Sequence, residues 1–60
     1  MPYKVERLNG DENNAAIVIH VPSGYECRSY QEGASFEENA ANAMKLLNKK
    51  LVERGIINGK

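Results

Sequence analysis

The sequence contains a single cysteine, and this scarcity limits how so short a chain can be stabilised. Cys27 has no second cysteine with which to form an internal disulfide. A structural zinc site needs about four cysteine or histidine ligands, and only Cys27 and His20 are present. A domain of 60 residues buries only about 60% of the surface that its unfolded chain exposes. We therefore expect no cofactor, and association with a second subunit or another protein as the supplement to a small core.

The sequence also lacks an excess of charge of either sign. Eight Lys and Arg residues balance eight Asp and Glu residues, so the formal net charge is zero. Proteins that bind nucleic acid usually carry a basic excess, which releases counterions from the phosphates. Nucleic-acid binding is therefore the less favoured role. It stays open because basic residues can be segregated on one face.

Long hydrophobic runs are missing as well. The longest run, AAIVIHV at residues 15–21, is interrupted by His20 and is too short to span a bilayer. The N-terminal segment MPYKVERLNG lacks the apolar core of a signal peptide. Together with the lone thiol, these features predict a cytoplasmic protein without membrane contact.

Local patterns predict a single small domain over residues 1–60 with the order β-β-β-α. The turn-forming segment NGDENN, residues 9–14, is expected to be an exposed loop between the first two strands. The predicted fold is an α+β domain in which a three-stranded antiparallel sheet packs on one C-terminal helix. Its elements are strands near residues 3–8, 15–21 and 25–31, a helix near 36–54 and a tail over 55–60.

The segment VPSGY determines how the second and third strands pair. Pro22 suits the first central position of a type I turn and Gly24 can adopt the left-handed conformation, which together predict a three-residue hairpin. That hairpin pairs Ile19 with Cys27. The predicted core face carries Ile17, Ile19, Val21, Tyr25 and Cys27, and the opposite face carries Ala16, Val18, His20, Glu26, Arg28 and Tyr30.

Helix signals begin after Gly33. Ser35 and Glu38 have the spacing of a capping box, and Gly55 is suited to end the helix. Glu37 and Glu38 could be taken for a catalytic carboxylate pair, but capping and the helix dipole account for both. The predicted core stripe of the helix is Phe36, Ala40, Ala43, Met44, Leu47 and Leu51.

Cys27 and His20 form the only pair that could suggest nucleophilic catalysis, in which a histidine activates a thiol. A two-residue turn would place them directly across from each other. The favoured three-residue turn puts them on opposite faces instead, with His20 opposite Glu26 and Cys27 toward the helix. We therefore expect a buried, inert cysteine and no enzymatic activity.

The outer face of the sheet is the main candidate for a partner-binding surface. The predicted register places Ala16, Val18, Leu8 and Tyr30 there as an apolar patch edged by charged residues, with nothing later in the chain long enough to cover it. An ordinary surface with scattered apolar residues is the alternative. The residues predicted to bind a protein partner are Val18, His20, Arg28 and Tyr30.

Several apolar residues lie outside the core stripe of the helix. Leu46 and Val52 face away from it, and Ile56 and Ile57 follow the helix end. A homodimer would cover these residues and also protect an edge strand. A tail that folds back onto its own core would cover them equally well, so both interpretations stay open.

A small nucleic-acid-binding module is the alternative function. It would use the sheet face or the basic end of the helix. The sheet-face charges cancel, however, because Glu6 and Glu26 stand among them. The basic residues concerned are Lys4, Arg7, Arg28, Lys45, Lys49, Lys50 and Arg54.

Between Val21 and Leu51 a strand ends at a proline, a strand with a cysteine follows, and a polar turn leads to the start of a helix. The residues that carry this pattern are Val21, Pro22, Cys27, Ser29, Gly33, Ser35, Glu37, Glu38, Asn42 and Ala43. In this stretch the chain resembles the HicB-type antitoxin domain, although QEGAS replaces a compact glycine-aspartate turn and the strand after the helix is barely present. The resemblance implies a partial RNase H-like fold and a non-catalytic protein that binds and blocks a small RNA-cleaving toxin. Size and composition separately suit a regulator of bacterial or phage type.

Overall fold

A computed structural model describes residues 2–8 and 14–59, and it confirms the predicted sheet and C-terminal helix. The three strands form an antiparallel sheet in the order β1-β2-β3. Most of the loop predicted at residues 9–14 lies outside the described residues, as do both terminal residues. The elements are β1 (Tyr3–Arg7), β2 (Ala16–His20), β3 (Tyr25–Ser29) and α1 (Phe36–Glu53).

The hairpin between β2 and β3 differs from the prediction by one residue. His20 pairs with Tyr25 and Val18 with Cys27, so four residues form the loop instead of three. The amide of Gly24, at φ +80°, donates to the carbonyl of His20 at 2.8 Å. Ser23 Oγ accepts a hydrogen bond from the amide of Tyr25 at 3.2 Å, which fixes the loop from inside.

This shift exchanges the two faces of β2, because side chains alternate along a strand. Val18 faces the helix, whereas Ile17 and Ile19 face away from it, contrary to the predicted core face. Val21 lies in the loop and is 57% exposed. The third strand does direct Tyr25 and Cys27 toward the helix, as predicted. The core cluster comprises Val18, Ala43, Leu47 and Leu51, with Tyr3, Tyr25, Cys27, Met44 and Ile57 packed around it.

Both ends of α1 are closed by the predicted signals. Ser35 Oγ accepts from the amide of Glu38 at 3.1 Å, and Glu38 Oε1 accepts from the amide of Ser35 at 2.9 Å, which confirms the capping box. At the other end Gly55, at φ +74°, donates to Val52, and the amide of Ile56 donates to Leu51 at 2.9 Å. These two bonds form a Schellman motif, so the chain reverses at Gly55.

The tail after α1 folds back along the helix as a turn and a bend. Ile57 packs against the core cluster. Gly59 lies so close to Val52 that a Cβ added at Gly59 would stand 2.9 Å from Val52 Cγ1. Fold-back therefore accounts for Ile57, whereas Leu46, Val52 and Ile56 remain exposed.

Candidate interaction surface

The outer face of the sheet is a narrow apolar strip between two rows of charge. Ile17 and Ile19 project from the central strand. Glu6 and Arg28 lie directly across from Ile17, and Lys4 and Glu26 lie directly across from Ile19. Each edge strand also carries its own ion pair, Lys4–Glu6 at 3.5 Å and Arg28–Glu26 at 3.6 Å. Charges of both signs therefore surround the strip on each side.

Two of the four residues predicted to bind a partner are not on this face. Val18 is fully buried, because the one-residue register shift turns it under α1. His20 is only 7% exposed. Its Nδ1 lies 2.7 Å from Ser23 Oγ, and its ring centroid lies 5.2 Å from that of Tyr3. Both residues hold the fold together, and the apolar patch expected around Val18 and Ala16 belongs to the core.

The other two predicted residues are accessible. Arg28 lies on the outer face with its guanidinium group in solvent. Tyr30 follows the end of β3 and is 53% exposed. Their role in binding stays a prediction, now tied to β3 and its continuation.

Cys27 and His20 share the helix-facing side of the sheet, so the prediction that they lie on opposite faces is wrong. Cys27 is half-buried and pairs with Val18. The Nδ1 atom of His20 is engaged by Ser23. Within residues 2–8 and 14–59, no group of three or more His, Cys, Asp or Glu side chains is arranged to hold a metal ion.

The hydrogen bonds of β2 show which backbone groups of β3 are free. The amide of Val21 donates to Pro2, and the carbonyl of Ala15 accepts from Leu8, so the odd-numbered residues of β2 bond to β1. Because bonding directions alternate along a strand, the even-numbered residues bond to β3. The backbone amides and carbonyls of their partners Tyr25, Cys27 and Ser29 therefore point toward β2. Glu26 and Arg28 direct their amides and carbonyls to the open edge.

A groove runs along this open edge between β3 and α1. Its volume is about 590 Å³. One wall is the edge of β3, and the other is a row of helix residues that begins with Leu46, a leucine that is 52% exposed. Within residues 2–8 and 14–59, backbone groups without a strand partner and an exposed apolar side chain thus lie next to each other. The lining residues are Glu26, Cys27, Arg28, Leu46, Lys49, Lys50 and Glu53.

The basic residues of the alternative function are not gathered into one surface. The guanidinium of Arg7 lies 4.2 Å from the centroid of Phe36, and that of Arg54 lies 5.7 Å from the centroid of Tyr25. Lys4 and Arg28 are paired with glutamates on the sheet. The exposed lysines Lys45, Lys49 and Lys50 are left along α1, and Lys49 and Lys50 form part of the groove wall.

Sequence reasoning missed two parts of this surface. The three-residue hairpin predicts Ile17 and Ile19 in the core and agrees with the apolar pattern, since it turns the polar His20 outward, but the four-residue loop reverses these faces. Glu53 was not singled out, although it lies seven residues after Leu46 and therefore on the same side of the helix. That spacing was the signal that could have located the helix wall of the groove.

Comparisons with protein-family models, curated proteins and solved structures found no match. Across the residues that the structure describes, no helix combines the length and the apolar character needed to cross a membrane.

Proposed function

We propose that the protein is a small, non-enzymatic interaction module that accepts an extended strand of a protein partner at the free edge of β3. The observation that supports this proposal is the alignment of outward-pointing backbone groups at Glu26 and Arg28 with the groove beside them. An added strand gains affinity from main-chain hydrogen bonds and specificity from the side chains that enter neighbouring pockets. The groove supplies such a pocket, with Leu46 as its apolar contact.

The edge suits this role better than the outer face of the sheet. The strip of Ile17 and Ile19 is narrow, and Ile17 is already buried to the same extent as core residues. Contacts there would also disturb two ion pairs. At the edge, by contrast, a partner strand would satisfy backbone groups that otherwise bond only to water.

The test compares tagged wild-type protein with two proline variants in the lysate of the native host. Glu26→Pro removes an outward amide from β3 without removing a bond to β2, and proline is tolerated at such positions. Val5→Pro is the matched control, because the backbone amide of Val5 points away from β2, at the opposite edge of the sheet. We expect a bound protein that survives nuclease treatment, that Val5→Pro retains and that Glu26→Pro loses. Equal binding by all three proteins would exclude the β3 edge, provided that circular dichroism shows each variant folded.

Nucleic-acid binding is the second candidate, and the exposure of Lys45, Lys49 and Lys50 along one helix supports it. Its signature would be a bound nucleic acid that disappears on nuclease treatment, with an affinity that falls steeply as salt is added. Charge reversal by Lys49→Glu with Lys50→Glu should then abolish binding. Unchanged binding by that variant would exclude the helix end.

The same capture experiment would identify the partner. The resemblance to the HicB-type antitoxin domain would make the partner a small RNA-cleaving toxin, and the β-β-β-α order is compatible with that idea. We further propose that the protein is a cytoplasmic regulator of bacterial or phage type, on the basis of its free thiol and small size. A captured protein without ribonuclease activity would argue against the toxin.

A further inference from the structure

We infer that the strand received at the β3 edge is the β3 strand of a second copy of this chain, in a two-fold symmetric dimer with its axis at Cys27. This inference rests on the proposed function and identifies the partner strand. It follows from three features of the edge: its hydrogen-bonding pattern, its sequence of charges and the position of the helix beside it.

The hydrogen-bonding pattern of β3 permits this pairing. With the axis at Cys27, Glu26 of one copy lies opposite Arg28 of the other, and the reverse pair forms on the far side of the axis. Glu26 and Arg28 are the β3 residues whose amides and carbonyls point to the open edge. Both pairs can therefore exchange two main-chain hydrogen bonds, as the wide pairs of an antiparallel ladder do.

In that register the charges on the β3 edge of one copy are complementary to those on the β3 edge of the other. Directly opposite residues share one face of the sheet and interact, so each glutamate of one strand meets an arginine of the other. The Glu26–Arg28 ion pair within one strand, at 3.6 Å, shows that these side chains already lie on the same face. Two reciprocal ion pairs then flank the axis. Any register that pairs glutamate with glutamate is disfavoured by like-charge repulsion.

The position of α1 allows the two helices to meet. The helix packs mainly on β2 and β3, so its axis lies about one strand spacing from the proposed two-fold axis. With strands spaced by about 4.8 Å, the helix axes would be roughly 10 Å apart, which is within the normal range for packed helices. The exposed Leu46 would be covered, while the long stems of Lys49 and Lys50 keep their ammonium groups in water.

The other edge of the sheet offers only part of this match. Lys4 and Glu6 also alternate about a central residue, Val5, so the charges of β1 would permit self-pairing. The helix, however, packs mainly two strands away from a β1–β1 junction. The two copies would then be joined only through their sheets, whereas pairing at β3 joins both the sheets and the helices. This difference favours β3 and makes Val5→Pro an informative control.

Cys27 provides a direct reporter of the register. The two Cys27 residues would form a narrow pair with Cα atoms about 4.5 Å apart, which lies within the distance range of a disulfide. Cys27 is free and half-buried at the groove. Mild oxidation with copper–phenanthroline would remove one proton and one electron from each thiol, with dissolved oxygen as the electron acceptor. The product is a covalent dimer that reductant reverses.

The decisive experiment measures self-association of the purified full chain by sedimentation under reducing conditions. We expect a dimer for wild type and Val5→Pro, and a monomer for folded Glu26→Pro. Glu26→Arg and Arg28→Glu should each weaken dimerisation at least tenfold, and the double variant Glu26→Arg/Arg28→Glu should restore it. A mixture of the two single variants should form the heterodimer, and oxidation should cross-link wild type but not Cys27→Ser.

The possible outcomes separate this inference from the proposed function. A wild-type monomer at several hundred micromolar would overturn the inference. Dimerisation that Val5→Pro disrupts and Glu26→Pro preserves would also overturn it, as would a dimer insensitive to both charge reversals. If the purified chain is a monomer but its capture of a host protein depends on Glu26, the inference fails and the proposed function stands. If neither behaviour depends on the β3 edge, both fail.

Discussion

The two faces of the central strand β2 both carry apolar side chains, but they are covered in different ways. On one face Val18 lies under α1 and contacts a leucine-rich cluster. On the other face Ile17 and Ile19 lie between charged residues of the neighbouring strands. Ile17 is nevertheless as little exposed as the core residue Ala15, 7% in each case. Among the described residues, the side chains directly across from Ile17 are those of Glu6 and Arg28. The stems of such charged side chains can cover an apolar residue on a face that the helix does not reach.

This comparison shows that a residue can be buried without lying in the core under the helix. Val18, under the helix, packs in a cluster of mainly apolar side chains, and a polar replacement there loses its hydrogen bonds to water. A residue under charged side chains is close to water at every moment. Residues on the two faces of β2 that are similarly buried should thus differ in how much a polar substitution lowers the free energy of unfolding.

The largest expected effect distinguishes the two faces directly. Val18→Asn places an unpaired amide under α1 and should lower the free energy of unfolding by about 3–5 kcal/mol. Because a domain of this size has only about 3–5 kcal/mol to lose, the variant should be largely unfolded. Ile19→Asn, on the opposite face, should cost about 1 kcal/mol, since its amide reaches water. Urea unfolding followed by circular dichroism measures both.

The same pair of variants tests the strand register. The three-residue hairpin would turn Ile19 toward the helix and Val18 toward solvent. A folded Val18→Asn protein together with an unfolded Ile19→Asn protein would therefore show that the four-residue loop is wrong. Equal losses in both variants would contradict the distinction between the two kinds of cover.

The strand register is also the main feature of the fold that could not be predicted from the sequence. The strands, the helix ends and most of the helix stripe were predictable because capping residues and helical spacing carry that information locally, as Ser35 and Gly55 show. The buried Asn39 lies outside the predicted stripe. The faces of β2 were not predictable, because both faces carry apolar residues and His20, the one polar residue of the strand, is buried on the helix side, so the choice depends on the turn. There the turn depends on Ser23, whose hydroxyl contacts His20 and Tyr25 across the loop. The predicted outer-face positions of Val18 and His20 are wrong for the same reason, whereas Arg28 lies on the outer face as predicted. The roles of these residues in binding stay predictions.

An intermediate effect is expected for the polar residue buried on the helix side. Asn39 is fully buried, and its Nδ2 donates to the carbonyl of Asn14 at 2.8 Å. Its Oδ1 finds no hydrogen-bond partner within the described part of the chain. Asn39→Ala should lower the free energy of unfolding by about 1–2 kcal/mol, because the loss of the Asn14 contact is partly offset by removal of the unpaired oxygen.

Asn42→Ala is the matched control for that measurement. Asn42 lies on the same helix and is only half-buried, so its replacement should change stability by no more than about 0.5 kcal/mol. Thermal unfolding of the two variants side by side gives the difference. If Asn39→Ala were as stable as Asn42→Ala, the contact to Asn14 would contribute nothing, and helix packing alone would hold that end of β2.

The smallest effect concerns the charged side chains that cover Ile17. Glu6 lies directly across from Ile17, and its ion pair with Lys4 is exposed, so the charge itself should matter little. Glu6→Gln keeps the side-chain stem and should change stability by less than about 0.5 kcal/mol. Glu6→Ala removes the stem, exposes Ile17 and should cost roughly 0.5–1 kcal/mol. Denaturant unfolding in low and high salt tests both variants, because screening affects only a loss due to charge. An equal, salt-sensitive loss in both would mean that the ion pair, and not the stem over Ile17, stabilises the outer face.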